Sequence, residues 1–473
     1  MKVTRLDLPV MASWMESNGR RLDCNPYLSG GFEAQALLDL IPEENKQELQ
    51  ELTEGGMSGL INAGRITRRW VNDPDHGIPF LSSTDILQAD LSTLSLISKK
   101  CIQQNPKFLI KKDWILITRS GTIGRIVYAR SDMDGMACTE DVLRVVPDRA
   151  KILPGYLYAY LSSRFGVALI VSGTYGSIIQ HLEPSHIADL PVPRLGDALE
   201  QKIHDLITEA TLNRFEASKL LAEASQDFIV HFGLEQPKVK QKYDCPSITV
   251  ATSSRLQQRI DAYYYAGWNE DAESVFNSVP AHQKRRLEDV TDDLYIPGIF
   301  KRLYVSEAKY GYPYITGSDI FCLSPTSNQF LSRKVAHDFR LVLRKGMILV
   351  QDSGQLGGLI GRPVAVGSYL DGFSCTNNVV RIIPKTDTDQ GYIFAILNTT
   401  YGVRLLMREA TGSSIPHLDE KRVKNIQIPW ADEKDRQRIG KKVLNAVELR
   451  DHACDLESQA RNLIETQIAK SQS

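Results

Sequence analysis

Two stretches of the chain, residues 197–232 and 432–470, carry apolar residues at intervals of three, four and seven. This spacing places the apolar side chains on one stripe of an α-helix. At 1.5 Å per residue, a helix of about 35 residues is roughly 50 Å long. The two stripes match position by position and consist of Ile203, Ile207, Ala210, Ala217, Ala224 and Phe228 in the first helix and Ile439, Val443, Ala446, Ala453, Ala460 and Ile464 in the second.

The starts and partners of these helices can also be predicted. Asp197 with Glu200, and Asp432 with Asp435, are suited to act as N-cap and third-residue partner. Alanine fills half of each stripe, so two helices can approach closely. We predict that the two helices pair with each other as an antiparallel coiled coil. The alternative is that each helix packs on its own domain.

Shorter apolar runs precede each long helix. Runs such as "ILITRSG" and "VLRVVP" are rich in β-branched residues and are bounded by Gly, Pro, Asn and Asp, which predicts strands. They lead into a helical stretch, "GYLYAYLSSRFGVALI" in the first case. The predicted fold class is therefore α+β, with a β-rich domain before each long helix.

The chain also repeats itself at an offset of roughly 235 residues. In unchanged order, "RLDCNPYLSG" matches "RIDAYYYAGW", "GRITRRWV" matches "GIFKRLYV", "WILITRSGTIGR" matches "MILVQDSGQLGG", and "GSIIQHLEPSHIADLPVP" matches "GSSIPHLDEKRVKNIQIP". A period this long predicts two duplicated domains with pseudo-twofold symmetry, not a solenoid. The predicted segments are domain 1 (1–196), helix 1 (197–232), a polar linker (233–254), domain 2 (255–431) and helix 2 (432–470).

Composition narrows the class of protein. The 473 residues are 42% hydrophobic and 24% charged, which is ordinary globular usage. No stretch approaches 18 apolar residues, and the first residues lack a signal-peptide pattern, so no membrane span or export is expected. The seven cysteines are scattered, which predicts neither a zinc site nor a disulfide framework and favours a reducing cytoplasm. The net charge of −1 leaves only local basic clusters, at 64–70, 110–114 and 340–345.

The duplicated pattern resembles the specificity subunits of type I restriction-modification systems, over nearly the whole chain. The resemblance is carried by the "RLD" and "RID" openings, the S-G-x-x-G turns at Ser120–Gly124 and Ser353–Gly357, the "GS…HL" segments and the two long helices. Each of these motifs is weak alone, and S-G-x-x-G is common. The ordered set, present twice, is specific.

The resemblance implies a bacterial or archaeal cytoplasmic subunit of an anti-phage complex that has no catalysis of its own. In that family each globular domain recognises one half of a bipartite site in double-stranded DNA, and the paired helices set the gap between the halves. The helices also dock two methyltransferase (modification) subunits, which flip the target adenine out of the duplex, and restriction/translocase subunits complete the complex. S-adenosylmethionine, ATP and Mg²⁺ are expected on those partners, with no cofactor or metal in this chain. Because the two copies differ in sequence, the site should be asymmetric.

Candidate DNA-binding residues lie in loops that the copies share in outline but not in side chains. Basic residues suited to phosphate contacts are Arg65, Arg68, Arg69, Lys301 and Arg302. Amides suited to an adenine edge are Gln351 and Gln355. The turns add Arg119, Ser120, Arg125 and Ser353, although a purely structural turn is the favoured interpretation there.

Other residues suggest structural roles or alternative functions. His181 and His417 occupy matching places, which favours a shared structural hydrogen bond over metal binding. Arg21–Asp23 and Arg259–Asp261 are interpreted as structural ion pairs. "DCNPYL" is a poor match to an adenine methyltransferase motif, and Asp293, Glu307 and Lys309 match a metal-dependent nuclease only vaguely. Two alternatives remain open: a specificity subunit of a methylation-only or other anti-phage assembly, and an adaptor whose domains bind proteins.

Overall fold

The computed structural model describes residues 11–17, 27, 30–172, 181–236, 248–257, 259–327, 329–412 and 414–470. It contains two compact units: unit 1 comprises Met1–Phe215 and Ala453–Ser473, and unit 2 comprises Glu216–His452. The predicted Arg21–Asp23 pair, most of the first "GS…HL" segment and the centre of the predicted linker lie outside the described residues. Among the helices that the structure describes, none is both long and apolar enough to cross a bilayer.

Unit 1 mixes short strands, short helices and the beginning of a long helix. Its elements in chain order are α1 (Ala12–Ser17), α2 (Gly31–Leu38), β1 (Lys46–Glu48), β2 (Leu60–Ile61), β3 (Trp70–Val71), β4 (Gly77–Leu81), β5 (Leu96–Ser98), α3 (Lys99–Gln104), β6 (Ile115–Thr118), β7 (Ile126–Tyr128), β8 (Ala137–Cys138), β9 (Val142–Val145), α4 (Pro154–Leu161), α5 (Arg164–Ser172), β10 (Pro191–Pro193) and α6 (Asp197–His231).

Three sheets organise the strands of unit 1. Two have four strands, in the orders β2-β9-β6-β7 and β3-β5-β4-β8, and the third pairs β1 with β10. The β4–β8 pair is parallel and the others are antiparallel. The predicted strands "ILITRSG" and "VLRVVP" are β6 and β9, which are buried throughout because they lie at the centre of one sheet.

Unit 2 has a closely similar element order. Its elements are α7 (Ser253–Leu256), α8 (Gly267–Ser278), β11 (Lys284–Arg286), β12 (Thr291–Tyr295), β13 (Tyr304–Val305), β14 (Gly311–Ile315), β15 (Phe330–Ser332), α9 (Arg333–Asp338), β16 (Ile348–Gln351), β17 (Pro363–Ala365), β18 (Ser374–Cys375), β19 (Val379–Pro384), α10 (Asp387–Leu397), α11 (Thr400–Arg408), β20 (Ala410–Thr411), β21 (His417–Leu418), α12 (Glu420–Lys424), β22 (Gln427–Pro429) and α13 (Glu433–Lys470).

The sheets of unit 2 have the same strand orders as those of unit 1. They are β12-β19-β16-β17, β13-β15-β14-β18 and β11-β22, with one additional pair, β20-β21. Among the described strands of unit 2, the pair β14–β18 is parallel, and it corresponds to β4–β8 in unit 1. Two stretches that match in sequence therefore form sheets of matching topology.

The long helices contribute to the core of each unit. In unit 1 the beginning of α6 and the end of α13 share buried clusters, which contain Ile203, Ile207, Ala460 and Ile464 in one case and Ala210 and Ala453 in the other. In unit 2 the end of α6 and the beginning of α13 do the same with Ala217, Ala224, Phe228, Ile439, Val443 and Ala446. All twelve predicted stripe residues are 0–1% exposed. Burial of each large apolar side chain stabilises the fold by about 1.5–3 kcal/mol.

Charged contacts give the direction in which the helices run beside each other. In unit 2, Asp227 binds Arg438 at 2.7 Å and Glu223 binds Lys442 at 3.0 Å. The earlier residue of α6 thus meets the later residue of α13, as in an antiparallel pair. In unit 1, Arg214 forms a buried ion pair with Glu457, which also accepts a hydrogen bond from the Tyr158 hydroxyl at 3.1 Å.

The long helices also make the contacts of the alternative prediction, which is packing on their own domains. The same clusters that hold the stripe residues also contain α4 in unit 1 and α10 in unit 2. Glycines permit this contact: a Cβ on Gly155 would lie 2.6 Å from His204 Nδ1, and one on Gly391 would lie 2.3 Å from the Gly440 carbonyl oxygen. Each helix therefore packs on its neighbouring helix and on its own domain.

The predicted helix starts are close to the observed ones. Asp432 accepts a hydrogen bond from the Asp435 backbone N–H at 2.9 Å, immediately before α13, as an N-cap does. Asp197 is instead the first residue of α6, so its predicted capping role is wrong. Glu200 reaches back to accept the Leu195 N–H at 2.9 Å and pairs with Arg194.

Candidate nucleic-acid interface

The S-G-x-x-G turn of unit 1 connects β6 to β7. Gly121 and Gly124 have φ angles of 73° and 80°, the left-handed region that glycine enters without strain. The Ser120 hydroxyl donates to Asp141 Oδ1 at 2.9 Å and lies 3.3 Å from His181 Nδ1. The backbone of Ser120 also bridges to His181, so the turn is attached to a distant segment of the chain.

Arg119 of this turn is committed to contacts within unit 1. Its guanidinium forms an ion pair with Glu183, and its Nε donates to the Leu182 carbonyl at 2.9 Å. Only 13% of the side chain is exposed. The charge of Arg119 is thus paired within unit 1, which agrees with the favoured interpretation of a structural turn, and a direct DNA contact by Arg119 stays a prediction.

The matching turn of unit 2 has the same frame with different side chains. Ser353 bridges to His417 as Ser120 does to His181, and Gly354 and Gly357 again have positive φ, at 140° and 86°. Where unit 1 has Arg119, unit 2 has Asp352, whose Oδ2 lies 3.7 Å from His417 Nδ1. Burial is the main cause of a raised pKa of the Asp352 carboxyl.

Gln351 and Ser353, two predicted DNA-binding residues of unit 2, are buried in the described structure. Gln351 is 9% exposed, its Nε2 donates to the Ser353 carbonyl at 2.9 Å, and its amide fills space left by Gly317. Ser353 is buried as well. Neither side chain is presented at the surface, and Ser120 is half-buried and already bonded to Asp141. Arg125 and Gln355 are the predicted residues of the two turns that are exposed.

A second pair of matching loops precedes the edge strands β3 and β13. We call residues 64–70 and 298–304 the edge loops of units 1 and 2. They are attached in the same way, because Ser98 N–H donates to the Arg69 carbonyl at 2.8 Å and Ser332 N–H donates to the Leu303 carbonyl at 2.9 Å. The predicted cations of both loops lie on these segments.

Two arginines of the edge loops are exposed but contact neighbouring side chains of their unit. Arg68 lies over the Phe80 ring with its guanidinium carbon 5.0 Å from the centroid, and Arg302 lies over the matching Tyr314 ring at 6.0 Å. Arg68 also donates to Glu140 at 2.7 Å, whereas Arg302 donates to the Tyr314 hydroxyl at 3.1 Å. Among the described residues, Arg68 is thus paired with an acid, whereas Arg302 is not, and a phosphate contact by either stays a prediction. Five predicted cations of the edge loops are exposed: Arg65, Arg68, Arg69, Lys301 and Arg302.

Two buried arginines were missed by sequence reasoning. Arg144 in β9 and Arg381 in β19 are both 0% exposed, and burial lowers the pKa of each guanidinium. Arg381 donates to the carbonyls of Val379, Cys375 and Thr376 at 2.6, 3.0 and 2.9 Å. Arg144 makes the corresponding bonds, to Val142 at 2.5 Å and to Cys138. Both arginines are the third residue of their matching segments, "VLRVVP" and "VVRIIP", and this match could have identified them as a shared structural feature.

The residues weighed for other roles are engaged in structural contacts. Arg259 and Asp261 form the predicted ion pair at 2.6 Å, and Arg259 also donates to the Arg408 and Ala410 carbonyls. Asp293 pairs with Arg340, and Glu307 pairs with Lys309. Within the described ranges, no cluster of three or more His, Cys, Asp or Glu side chains could hold a metal ion.

This chain can be compared with known proteins by its sequence and by its structure. No family model matches the chain, and no curated protein matches it. Among solved structures, it is similar to the S subunit of a type I restriction-modification system from M. genitalium, with 14% identity, a TM-score of 0.33, and coverage of 91% of this chain and 98% of that one. The HsdS subunit from Thermoanaerobacter tengcongensis is also similar, with 14% identity, a TM-score of 0.26, and coverage of 90% and 95%.

A third structure comes from a study of complex assembly and conformational transition of the type I restriction-modification system. It has 14% identity and a TM-score of 0.28, with coverage of 90% of this chain and 96% of that one.

Proposed function

We propose that this chain is the DNA-recognition subunit of a type I restriction-modification complex, with no catalysis of its own. Each unit would bind one half of an asymmetric bipartite site in double-stranded DNA. The observation that carries the proposal is the duplication itself: two units share topology, buried arginines and turn geometry, yet differ at exposed loop positions. A shared frame with different surface side chains is what recognition of two unlike half-sites requires.

The exposed cations provide the electrostatic part of this binding. Arg65, Arg69, Arg125 and Lys301 lie on surface loops that precede or follow strands, where phosphates can approach. Arg302 adds a fifth cation, whose guanidinium lies over the Tyr314 ring. The chain as a whole has a net charge of −1, so these local groups, and not a general positive charge, would attract DNA.

The long helices would join the DNA-recognition units to the catalytic subunits of the complex. At 35 and 38 residues, α6 and α13 are each about 50 Å or more in length. They would set the spacing of the two half-sites and dock two methyltransferase subunits. Restriction/translocase subunits would complete the complex, and S-adenosylmethionine, ATP and Mg²⁺ would be held by these partners.

A genome-wide map of methylated adenines, with this gene intact and deleted, tests the proposal. We expect one asymmetric bipartite motif to lose methylation on deletion. An unchanged map would contradict the targeting of a methyltransferase. A motif that loses methylation in a host with no linked restriction activity would identify a methylation-only assembly.

Salt dependence of DNA binding separates this proposal from a protein-binding adaptor. With about six phosphate contacts, the affinity for duplex DNA should fall roughly a thousandfold between 50 and 200 mM salt. Lys301→Ala should reduce the slope of log K against log salt by about 0.9. An adaptor would bind DNA weakly at all salt concentrations, and Lys301→Ala would leave that binding unchanged.

A further inference from the structure

The edge loops have an alternating pattern that both units share. Their even-numbered side chains contact the rest of the unit: Ile66 and Phe300 pack on apolar clusters, and the guanidiniums of Arg68 and Arg302 lie on matching rings while both side chains stay exposed. The next even-numbered side chain in each loop also contacts an aromatic ring. Trp70 contacts Phe80 edge-on with centroids 5.2 Å apart, and Tyr304 contacts Tyr314 at 5.7 Å.

The odd-numbered positions of the same loops are exposed in both units. Unit 1 presents Arg65, Thr67 and Arg69, and unit 2 presents Ile299, Lys301 and Leu303. Ile299 is 89% exposed and Leu303 is 56% exposed. The frame is thus the same in both loops, and the chemistry offered to solvent is different.

The difference follows the chemistry of the DNA bases. Arginine pairs bidentately with the O6 and N7 atoms of guanine in the major groove, whereas an apolar side chain contacts the C5-methyl group of thymine. A single exposed apolar residue is ordinary on a protein surface. Two of them, at the positions where the matching loop carries arginines and on either side of an exposed lysine, are placed to contact a negatively charged polymer that carries methyl groups.

We propose that the odd-numbered edge-loop residues determine sequence preference in each half-site. Arg65 and Arg69 contact guanine in the half-site of unit 1. Ile299 and Leu303 pack on thymine methyl groups in the half-site of unit 2, while Lys301 between them contacts phosphate. This inference rests on the proposed DNA-recognition function and assigns base types to its two halves.

Replacement of thymine by uracil tests the apolar half directly, because uracil lacks only the C5-methyl group. The full chain first selects its motif from a randomised duplex library. Duplexes of that motif are then made with uracil in one half-site at a time. We expect the affinity of the wild-type chain to fall about fourfold for each contacted methyl group in one half-site, and to be unchanged by uracil in the other.

Exchange of the loop residues tests the assignment to units. Ile299→Arg with Leu303→Arg should convert thymine preference to guanine preference in one half-site, with about 5- to 100-fold discrimination. Arg65→Ile with Arg69→Leu should remove guanine preference from the other half-site only. Lys301→Ala is the matched control: it should weaken binding to all sequences alike.

The outcomes distinguish this inference from the proposed function. A wild-type chain that retains no duplex at low salt overturns the proposed function itself. A chain that selects a motif but does not respond to uracil in either half-site overturns only the thymine assignment. The edge-loop assignment is overturned if the exchanges leave both half-sites unchanged or weaken all sequences equally. The uracil measurement uses the wild-type chain, so it holds even if a variant folds poorly.

Discussion

Units 1 and 2 agree closely inside and differ at their surfaces. Inside, Tyr156 donates to the Pro193 carbonyl and Tyr392 donates to the Pro429 carbonyl, so the same hydroxyl ties the same strand in both units. The buried arginines of β9 and β19 agree as well, down to the carbonyls that they bind. Such contacts are retained because an unsatisfied buried carbonyl costs about 1–3 kcal/mol.

The turns and their neighbours differ. Unit 1 has Arg119 paired with Glu183, and unit 2 has Asp352 beside His417. The carboxylate of Asp141, which holds Ser120 in unit 1, is replaced by the amide of Asn378. A residue that matches in both units therefore belongs to their shared structural frame. An exposed position at which the units differ can take on a different binding role in each unit.

The largest expected difference in stability between the two units comes from the ion pairs between α6 and α13. In unit 1 the Arg214–Glu457 pair is buried, with side chains 7% and 3% exposed. Burial alone would lower the pKa of Arg214, but the charge of Glu457 and the hydrogen bond to it raise it overall. Glu457→Gln should destabilise unit 1 by about 3–5 kcal/mol, because it leaves a buried guanidinium without its counter-charge.

Asp227→Asn in unit 2 is the matched control for that substitution. Its partners Arg438 and Lys442 are partly exposed, so the loss should be about 0–1 kcal/mol. Hydrogen–deuterium exchange gives the local stability, with residues 203–214 and 453–464 reporting Glu457→Gln in unit 1 and residues 217–228 and 435–446 reporting Asp227→Asn in unit 2. Equal effects of the two substitutions would contradict a difference between the helix halves.

The buried arginines sharpen the claim of a shared frame. Arg144→Met and Arg381→Met keep most of the side-chain volume but remove the donors to buried carbonyls. Each should destabilise its own unit by about 2–4 kcal/mol. Hydrogen exchange in β6 and β16 reports the two units separately. A stabilising effect in either unit would mean that burial of the charge outweighs its hydrogen bonds there.

The smallest expected change in stability comes from replacing Asp352, and this change depends on pH. Because the pKa of Asp352 is raised, the folded state binds this proton more tightly than the unfolded state does. The contribution of the group to the free energy of unfolding is therefore complete below about pH 4 and is lost as the pH rises through the folded-state pKa. Asp352→Asn should therefore be more stable than the wild type at pH 7.5, by about 0.5 kcal/mol, and equal to it near pH 4.

Thermal unfolding of Asp352→Asn between pH 4.5 and 7.5 measures this difference, with Asp292→Asn at an exposed site as control. A variant less stable than the wild type at pH 7.5 would mean that the interaction of Asp352 with His417 outweighs its burial.

Several features of this protein follow from local sequence alone. The stripes of α6 and α13, the strands β6 and β9, and the matching of "VLRVVP" with "VVRIIP" are periodic or repeated patterns within short segments. Helix and strand periods are properties of neighbouring residues, so they can be recognised without a partner. The Arg259–Asp261 pair belongs here too, because its members are two residues apart.

Other features depend on residues that are far apart in the chain. Arg119 is neutralised by Glu183, Gln351 is buried against Gly317, and Arg68 pairs with Glu140. Each of these side chains is a plausible DNA contact by its chemistry. Whether it points outward is determined by a partner tens of residues away, and only the folded chain brings the two together.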